Sequence, residues 1–189
     1  TELPENYEVD VPNTFVQNIS TFSSSYWFQT EKQGSELANT WRIIDGYQAL
    51  YQPKGLAAEV AGGAYYIRIE TYMFQNIDGA KLAWAYYDNL LKAIPSSSAV
   101  KTKGLANDSS SYEIVSGTIG PSEIVGVYDR FSFRRGNTIV TVQTWGGKPF
   151  MNIDAAREIA VIIDNKLLGA RPATEPTPIP TPSFIGLGN

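Results

Sequence analysis

Carboxylates and arginines are the side chains with which this sequence could do chemistry, because histidine and cysteine are both absent. Their absence excludes a Ser-His-Asp triad, histidine acid–base catalysis, thiol nucleophiles and disulfides. A metal would need oxygen ligands, and the sequence has no dense acidic loop of the kind that holds calcium. We therefore predict no cofactor, no metal site and no dependence on a divalent transition metal.

Three carboxylates are the candidates for acid–base catalysis: Asp45, or Glu113 together with Glu123. A glycosidase needs two carboxyl groups at a defined separation across the scissile bond. The spacing of these residues fixes no such separation, and no flanking pattern is typical of a glycosidase. A carboxylate-dependent hydrolase is therefore the remote alternative, and the sequence predicts a protein that is not an enzyme and has no catalytic residue.

The densest group of positive charges lies near a hairpin turn and comprises Arg130, Arg134 and Arg135, with Asp129 beside them. Arginine binds carboxylate and phosphate through two parallel hydrogen bonds, so an anion site is one interpretation. A charged, solvated turn explains the same residues, and it is the interpretation that we favour.

A strand from Tyr65 to Phe74 has a conspicuous aromatic face. Because strand side chains alternate, Tyr66, Arg68, Glu70, Tyr72 and Phe74 point the same way. Tyrosine and arginine are enriched among the residues that dominate protein interfaces. This predicts a protein-binding surface, with four contact residues: Tyr66, Arg68, Tyr72 and Phe74. The alternative is an ordinary sheet face, on which Arg68 and Glu70 pair with neighbouring strands and the N-terminal arm half covers the aromatics.

The C-terminal segment, residues 171–189, is rich in proline and threonine. This composition favours an extended polyproline II chain without internal hydrogen bonds. We predict a docking arm that contacts a partner through these residues: Pro178, Pro180, Pro182, Phe184, Ile185 and Leu187. A flexible spacer is the alternative interpretation.

Apolar periodicity and turn residues divide the chain into an extended N-terminal arm (1–23), a globular domain (24–170) and the tail (171–189). The predicted elements are a strand at 25–30, a helix from 35 to before Pro53, a hairpin at 56–74 turning at Gly62-Gly63, a helix at 76–94, strands at 112–119, 123–133 and 138–145, and a helix at 154–169. This order predicts an α+β, two-layer fold, with a mostly antiparallel sheet and about three helices on one face.

The stretch from Trp41 to Tyr87 resembles a family of exported bacterial domains of unknown function. The family motif has an aromatic residue, two apolar residues, Asn-Gly-Gly, and then an alanine and a tyrosine. The matching residues are Ile43, Ile44, Asp45, Gly46, Ala49 and Tyr51, followed by the strand Tyr65–Phe74 and by Ala80–Tyr86. Asp45 replaces the asparagine and Tyr47 the second glycine. The resemblance implies export and an α+β fold, and it implies no known reaction.

Charge and hydropathy complete the prediction. A net charge of −4 and a pI near 4.9 argue against a nucleic-acid partner. No apolar run reaches the roughly 18 residues that a transmembrane helix needs. The first residue, Thr1, fits either a processed export precursor or a shortened chain.

We therefore expect a non-catalytic exported protein that acts in a cell-surface or periplasmic assembly, through contacts with further copies of itself or with other protein subunits. The alternative is an exported small-ligand-binding or sensor domain that holds its ligand between the sheet and the helices. A deep pocket lined by polar residues would favour that alternative.

Overall fold

The computed structural model describes residues 6–25, 27–55, 64–120 and 123–169. Its strands are β1 (Tyr7–Val9), β2 (Phe15–Gln17), β3 (Ile43–Pro53), β4 (Tyr66–Phe74), β5 (Ser97–Ala99), β6 (Asp108–Ile119), β7 (Ile124–Arg135) and β8 (Thr138–Gly147). Its helices are α1 (Ile19–Ser23), α2 (Glu31–Trp41), α3 (Ile77–Ala93) and α4 (Ile153–Leu167).

One eight-stranded sheet organises the domain. Its strand order is β1-β3-β4-β8-β7-β6-β5, and β2 also pairs with β3. All the pairings are antiparallel. The predicted α+β class and the predicted antiparallel sheet are confirmed, as are the three consecutive strands that became β6, β7 and β8.

Helix α3 follows the prediction closely. Asn76 caps it, since the side-chain oxygen accepts a hydrogen bond from the backbone N–H of Gly79 at 2.8 Å. Leu91 and Tyr87 are buried against the sheet, in the predicted phase. Gly79 allows a close helix contact, because a Cβ atom there would lie 1.9 Å from the carbonyl oxygen of Trp41.

The predicted helix from residue 35 to Pro53 is wrong in its second half. Helix α2 ends at Trp41, and Arg42 then adopts a left-handed conformation with φ of 57°. Residues Ile43–Pro53 form β3 instead, which pairs with β4 on one side and with β1 and β2 on the other. Sheet pairing on both sides outweighs the helical spacing of a segment that β-branched residues and Gly46 already weaken as a helix.

The N-terminal segment is also more ordered than an extended arm. It contains β1, β2 and α1, and Phe22 is buried in the core. The predicted strand at 25–30 is absent, since the described residues of that stretch form turns and bends between α1 and α2. Trp27 and Phe28 are buried there by packing against helices rather than by strand pairing.

Helices cover both faces of the sheet rather than one. α1, α2 and α3 share a core with Tyr72, Phe74 and Ile139. Helix α4 packs on the opposite face, against Phe131 and Val140. The domain therefore has three layers instead of the two that we predicted, because the sheet carries buried apolar residues on both faces: Tyr72, Phe74 and Ile139 on one, and Phe131 and Val140 on the other.

Two smaller expectations concern the termini of α4. Asn152 caps α4 in place of Asp154, and Gly169 has the predicted left-handed conformation, with φ of 64°.

The first strand of the predicted hairpin at 56–64 falls largely outside the described residues, as does the tail. Among the helices of residues 6–169 that the structure describes, none combines the length and apolar character needed to cross a membrane.

Candidate functional site

A cavity of about 490 Å³ lies between the C-terminal part of α3 and the sheet. Its size is within the range of small-molecule sites. Leu90 and Ile94 line it from the helix, Ile114 from β6, and Trp27 from the connection between α1 and α2. The hydroxyl of Tyr86 on α3 donates to the carbonyl oxygen of Trp27 at 3.3 Å, which ties that connection to the helix.

The sheet lines the cavity with polar side chains from three adjacent strands. Tyr66 and Arg68 come from β4, Gln143 from β8 and Tyr128 from β7. The strand register pairs Arg68 with Gln143, and it also pairs Gln143 with Arg130 on β7. Paired residues of antiparallel strands share a face, so these side chains form a polar row across the sheet.

Arg68 is the only charged side chain lining the cavity within the described part of the chain. It is half-buried, and its Nε atom is buried without a hydrogen-bond partner among the described residues. The guanidinium carbon lies 5.9 Å from the ring centroid of Tyr66. An arginine that keeps an unused donor beside an apolar cavity has spare capacity to bind an acceptor.

Arg130 lies behind the cavity and is engaged by the protein itself. Its guanidinium donates to Gln143 Oε1 at 3.2 Å and to Thr141 Oγ1 at 3.4 Å. It also forms an ion pair with Glu70 Oε2 at 3.7 Å and packs 4.5 Å from the ring centroid of Trp27. Glu70 therefore offsets the charge of Arg130, and the charge of Arg68 remains without a compensating carboxylate in this cluster.

Tyr66 is a neutral hydrogen-bonding group at the cavity. Burial raises the pKa of Tyr66, and hydrogen bonding to Tyr128 raises it further. Gln143 Nε2 donates to the Tyr66 hydroxyl at 3.4 Å. The cavity thus offers phenol and amide groups around a single cation.

The predicted protein-binding face divides into two parts. Tyr66 and Arg68 reach the cavity, whereas Tyr72 is 3% exposed and Phe74 is 0% exposed in the core beneath α3. The expectation of an open face is therefore wrong for Tyr72 and Phe74, because α1, α2 and α3 cover this end of β4. Whether Tyr66 or Arg68 contacts a protein stays a prediction.

The arginines at the β7–β8 turn form separate ion pairs. Arg134 Nη2 lies 2.5 Å from Asp108 Oδ2, and Arg135 Nη2 donates to Asp164 Oδ2 at 2.7 Å. Arg130 and Arg134 are buried, so neither an open anion site nor a solvated turn describes this group. Alternation along β7 places Arg135 on the opposite face, where it fastens α4 to the sheet.

The candidate acid–base carboxylates do not come together. Asp45 is exposed on β3, and Glu113 pairs with Lys148 at 2.6 Å. Glu123 lies at the turn between β6 and β7, and six residues of β6 separate Glu113 from the end of that strand, roughly 20 Å at the strand rise. That separation is too large for the paired mechanisms of glycosidases.

The sequence did not predict most of the residues that line the cavity, including Trp27, Tyr128 and Gln143. One signal was present: β7 and β8 alternate polar and apolar residues although both are central strands. A polar face on a central strand that a helix covers predicts a buried polar site. The tail residues Pro178, Pro180, Pro182, Phe184, Ile185 and Leu187 lie outside the described residues, and their docking role stays a prediction.

Comparison with known proteins adds little to this geometry. No protein-family model matches the chain, and no curated protein matches it. The crystal structure of the extracellular domain of PknH from Mycobacterium tuberculosis is similar, with 14% sequence identity and a TM-score of 0.43. The similarity covers 82% of this chain and 78% of that chain. At that identity and TM-score, the similarity supports no statement about the function of this chain.

Proposed function

We propose that this domain binds a small ligand in the cavity between α3 and the sheet, and that it does so without catalysing a reaction. The observation that carries the proposal is the cavity itself, about 490 Å³ in volume, with a row of polar side chains on the sheet facing the apolar side chains Leu90 and Ile94. Mostly apolar walls with a few convergent polar groups are typical of ligand sites. The lining offers no carboxylate for acid–base chemistry, within the described residues. Export, which the sequence resemblance implies, is part of the same proposal.

The cavity can be tested with the neutral dye N-phenyl-1-naphthylamine, whose fluorescence rises in apolar surroundings. We expect the wild-type protein to bind the dye with one site per chain. Leu90→Trp should weaken dye binding at least tenfold, because the larger side chain fills the cavity.

Leu82→Trp is the matched control. It changes the same residue type on the same helix, and Leu82 is exposed. It should leave dye binding unchanged. Absence of dye binding to the wild type, or equal binding by the Leu90→Trp variant with its native circular dichroism intact, would contradict the proposal.

A second proposal is the subunit role that the sequence predicted. An exposed apolar group on two paired strands favours it: Val16 on β2 lies opposite Tyr47 on β3, and both side chains are exposed. Exposed apolar residues that cluster are typical of interaction surfaces. A partner protein, or a second copy of the chain, would cover this group.

A further inference from the structure

We infer that the ligand of the cavity is an organic anion with one negatively charged head, such as a carboxylate, and an apolar body. The inference rests on the proposed function and specifies the chemistry of that site.

The charge of the site comes from three residues on one face of the sheet. Arg130 and Glu70 form an ion pair at 3.7 Å, and both are buried. Arg68 precedes Glu70 by two residues on β4, and no ion pair joins it to a carboxylate among the described residues. The cluster therefore has a net charge of about +1. A half-buried cation next to apolar walls favours an anionic ligand, which restores hydrogen bonds that water supplies less well there.

The head group follows from the geometry of arginine. A guanidinium donates through two parallel N–H groups to a planar oxyanion, which suits a carboxylate. The unused Nε atom of Arg68 is one of the donors on the edge that bidentate pairs employ. One unpaired arginine matches one negative charge, and a polyphosphate would need a more basic surface.

The walls of the cavity indicate the chemical nature of the rest of the ligand. Leu90, Ile94 and Ile114 present aliphatic carbon, and Trp27 adds an aromatic surface. A sugar or another polar ligand would leave most of its hydroxyl groups unpaired against such walls. An apolar body is favoured there, because burying apolar surface contributes about 25 cal/mol per Å².

Three eight-carbon probes with different heads test this inference: octanoate, 1-octanol and octylammonium. Each is titrated against N-phenyl-1-naphthylamine bound to the wild-type protein. We expect octanoate to displace the dye at a concentration at least tenfold lower than either of the other two, because a charged hydrogen-bonded pair contributes about that factor or more.

Substitutions at Arg68 then locate the effect. Arg68→Gln should abolish the preference for octanoate. Arg68→Lys should retain part of it, because lysine keeps the positive charge but lacks the two parallel N–H donors of the guanidinium. Arg42→Gln, at an exposed arginine after α2, should leave the preference unchanged. Retention of the preference in Arg68→Gln would overturn the inference. If that variant fails to fold, the same decision comes from Arg68→Lys, in which an undiminished preference overturns it.

Failure of the inference is distinguishable from failure of the proposed function. Equal displacement of a bound dye by all three probes leaves the cavity a ligand site and refutes its anionic specificity. If the wild-type protein binds no dye, or if Leu90→Trp does not weaken dye binding, both the proposed function and the anionic specificity are refuted.

Discussion

Asp129 is a buried carboxyl group whose charge disfavours the folded state. It is 3% exposed on β7, and the strand register places it opposite Glu113 on β6 and Thr144 on β8. Burial raises its pKa to about 6, and the charge of Glu113 adds to the effect while Lys148 opposes it. Because the folded-state pKa is raised, the native protein binds more protons than the unfolded chain between about pH 4 and pH 6. Stability should therefore fall as the pH rises through that window.

Asp129→Asn should remove this dependence. The amide has the shape of the carboxyl group and no charge to bury, so we expect the variant to be more stable at pH 7.5, by roughly 1 kcal/mol. At pH 4 the two proteins should differ little. Urea unfolding at both pH values measures this, with Asp45→Asn at an exposed position as the control. An equal or lower stability of Asp129→Asn at pH 7.5 would refute the argument.

For single residues, the sequence predicted which face of the sheet a side chain points to, but not what covers that face. Alternation along β4 correctly placed Tyr66, Arg68, Tyr72 and Phe74 on one face. The alternation does not show what packs on that face, because the helices that pack there lie elsewhere in the sequence. The helices bury Tyr72 and Phe74 and leave a cavity over Tyr66 and Arg68, and that difference decides which residues can meet a ligand.

Helix α3 contributes side chains both to the core and to the wall of the cavity. Leu91 is 2% exposed and contacts the core beneath the helix. Leu91→Ala should lower the free energy of unfolding by about 2–5 kcal/mol, through lost burial and the cavity that remains. Leu82 is 53% exposed on the same helix. Leu82→Ala should cost less than about 0.5 kcal/mol. Denaturant unfolding of both variants compares them, and a loss below about 0.5 kcal/mol for Leu91→Ala would show that the assigned helix phase is wrong.

Elements were predictable where local signals agreed with one another. Asn76, the apolar stripe and Pro95 together marked α3, and the turn at Gly136 marked the β7–β8 hairpin. The segment Ile43–Pro53 failed because its helical spacing competed with sheet partners on both sides. Those partners, β1, β2 and β4, lie far apart in the sequence, so no local window contains the information.

At the scale of the whole molecule, the predicted docking role of the tail can be tested by removing residues 172–189. Deletion of residues 172–189 should lower the solution mass, or abolish partner binding, while the truncated chain keeps its native circular dichroism. The physical reason is that proline extends a chain before it binds and so reduces the entropy lost on docking. Solution mass by light scattering, at native concentration, measures the effect. An unchanged mass and unchanged partner binding would make the tail a spacer.

The layer arrangement was not predictable from single elements. The last helix has one apolar stripe, and such a stripe fits either face of a sheet equally well. Only the second apolar face of the sheet, which includes Phe131 and Val140 and lies opposite Tyr72 and Ile139, requires a second helical layer.

This arrangement puts the cavity and α4 on opposite sides of the sheet. Helix α4 therefore lies on the side away from the cavity, and β7 and β8 are the wall that the two sides share. Consecutive residues of that wall face different compartments: Arg130 is held against Trp27, and Phe131 is packed beneath α4. Any ligand that displaced β7 would therefore also pull on α4, because Arg135 at the end of β7 is bound to Asp164 of that helix. The sheet thus separates the cavity from α4 and is also the structure to which both are attached.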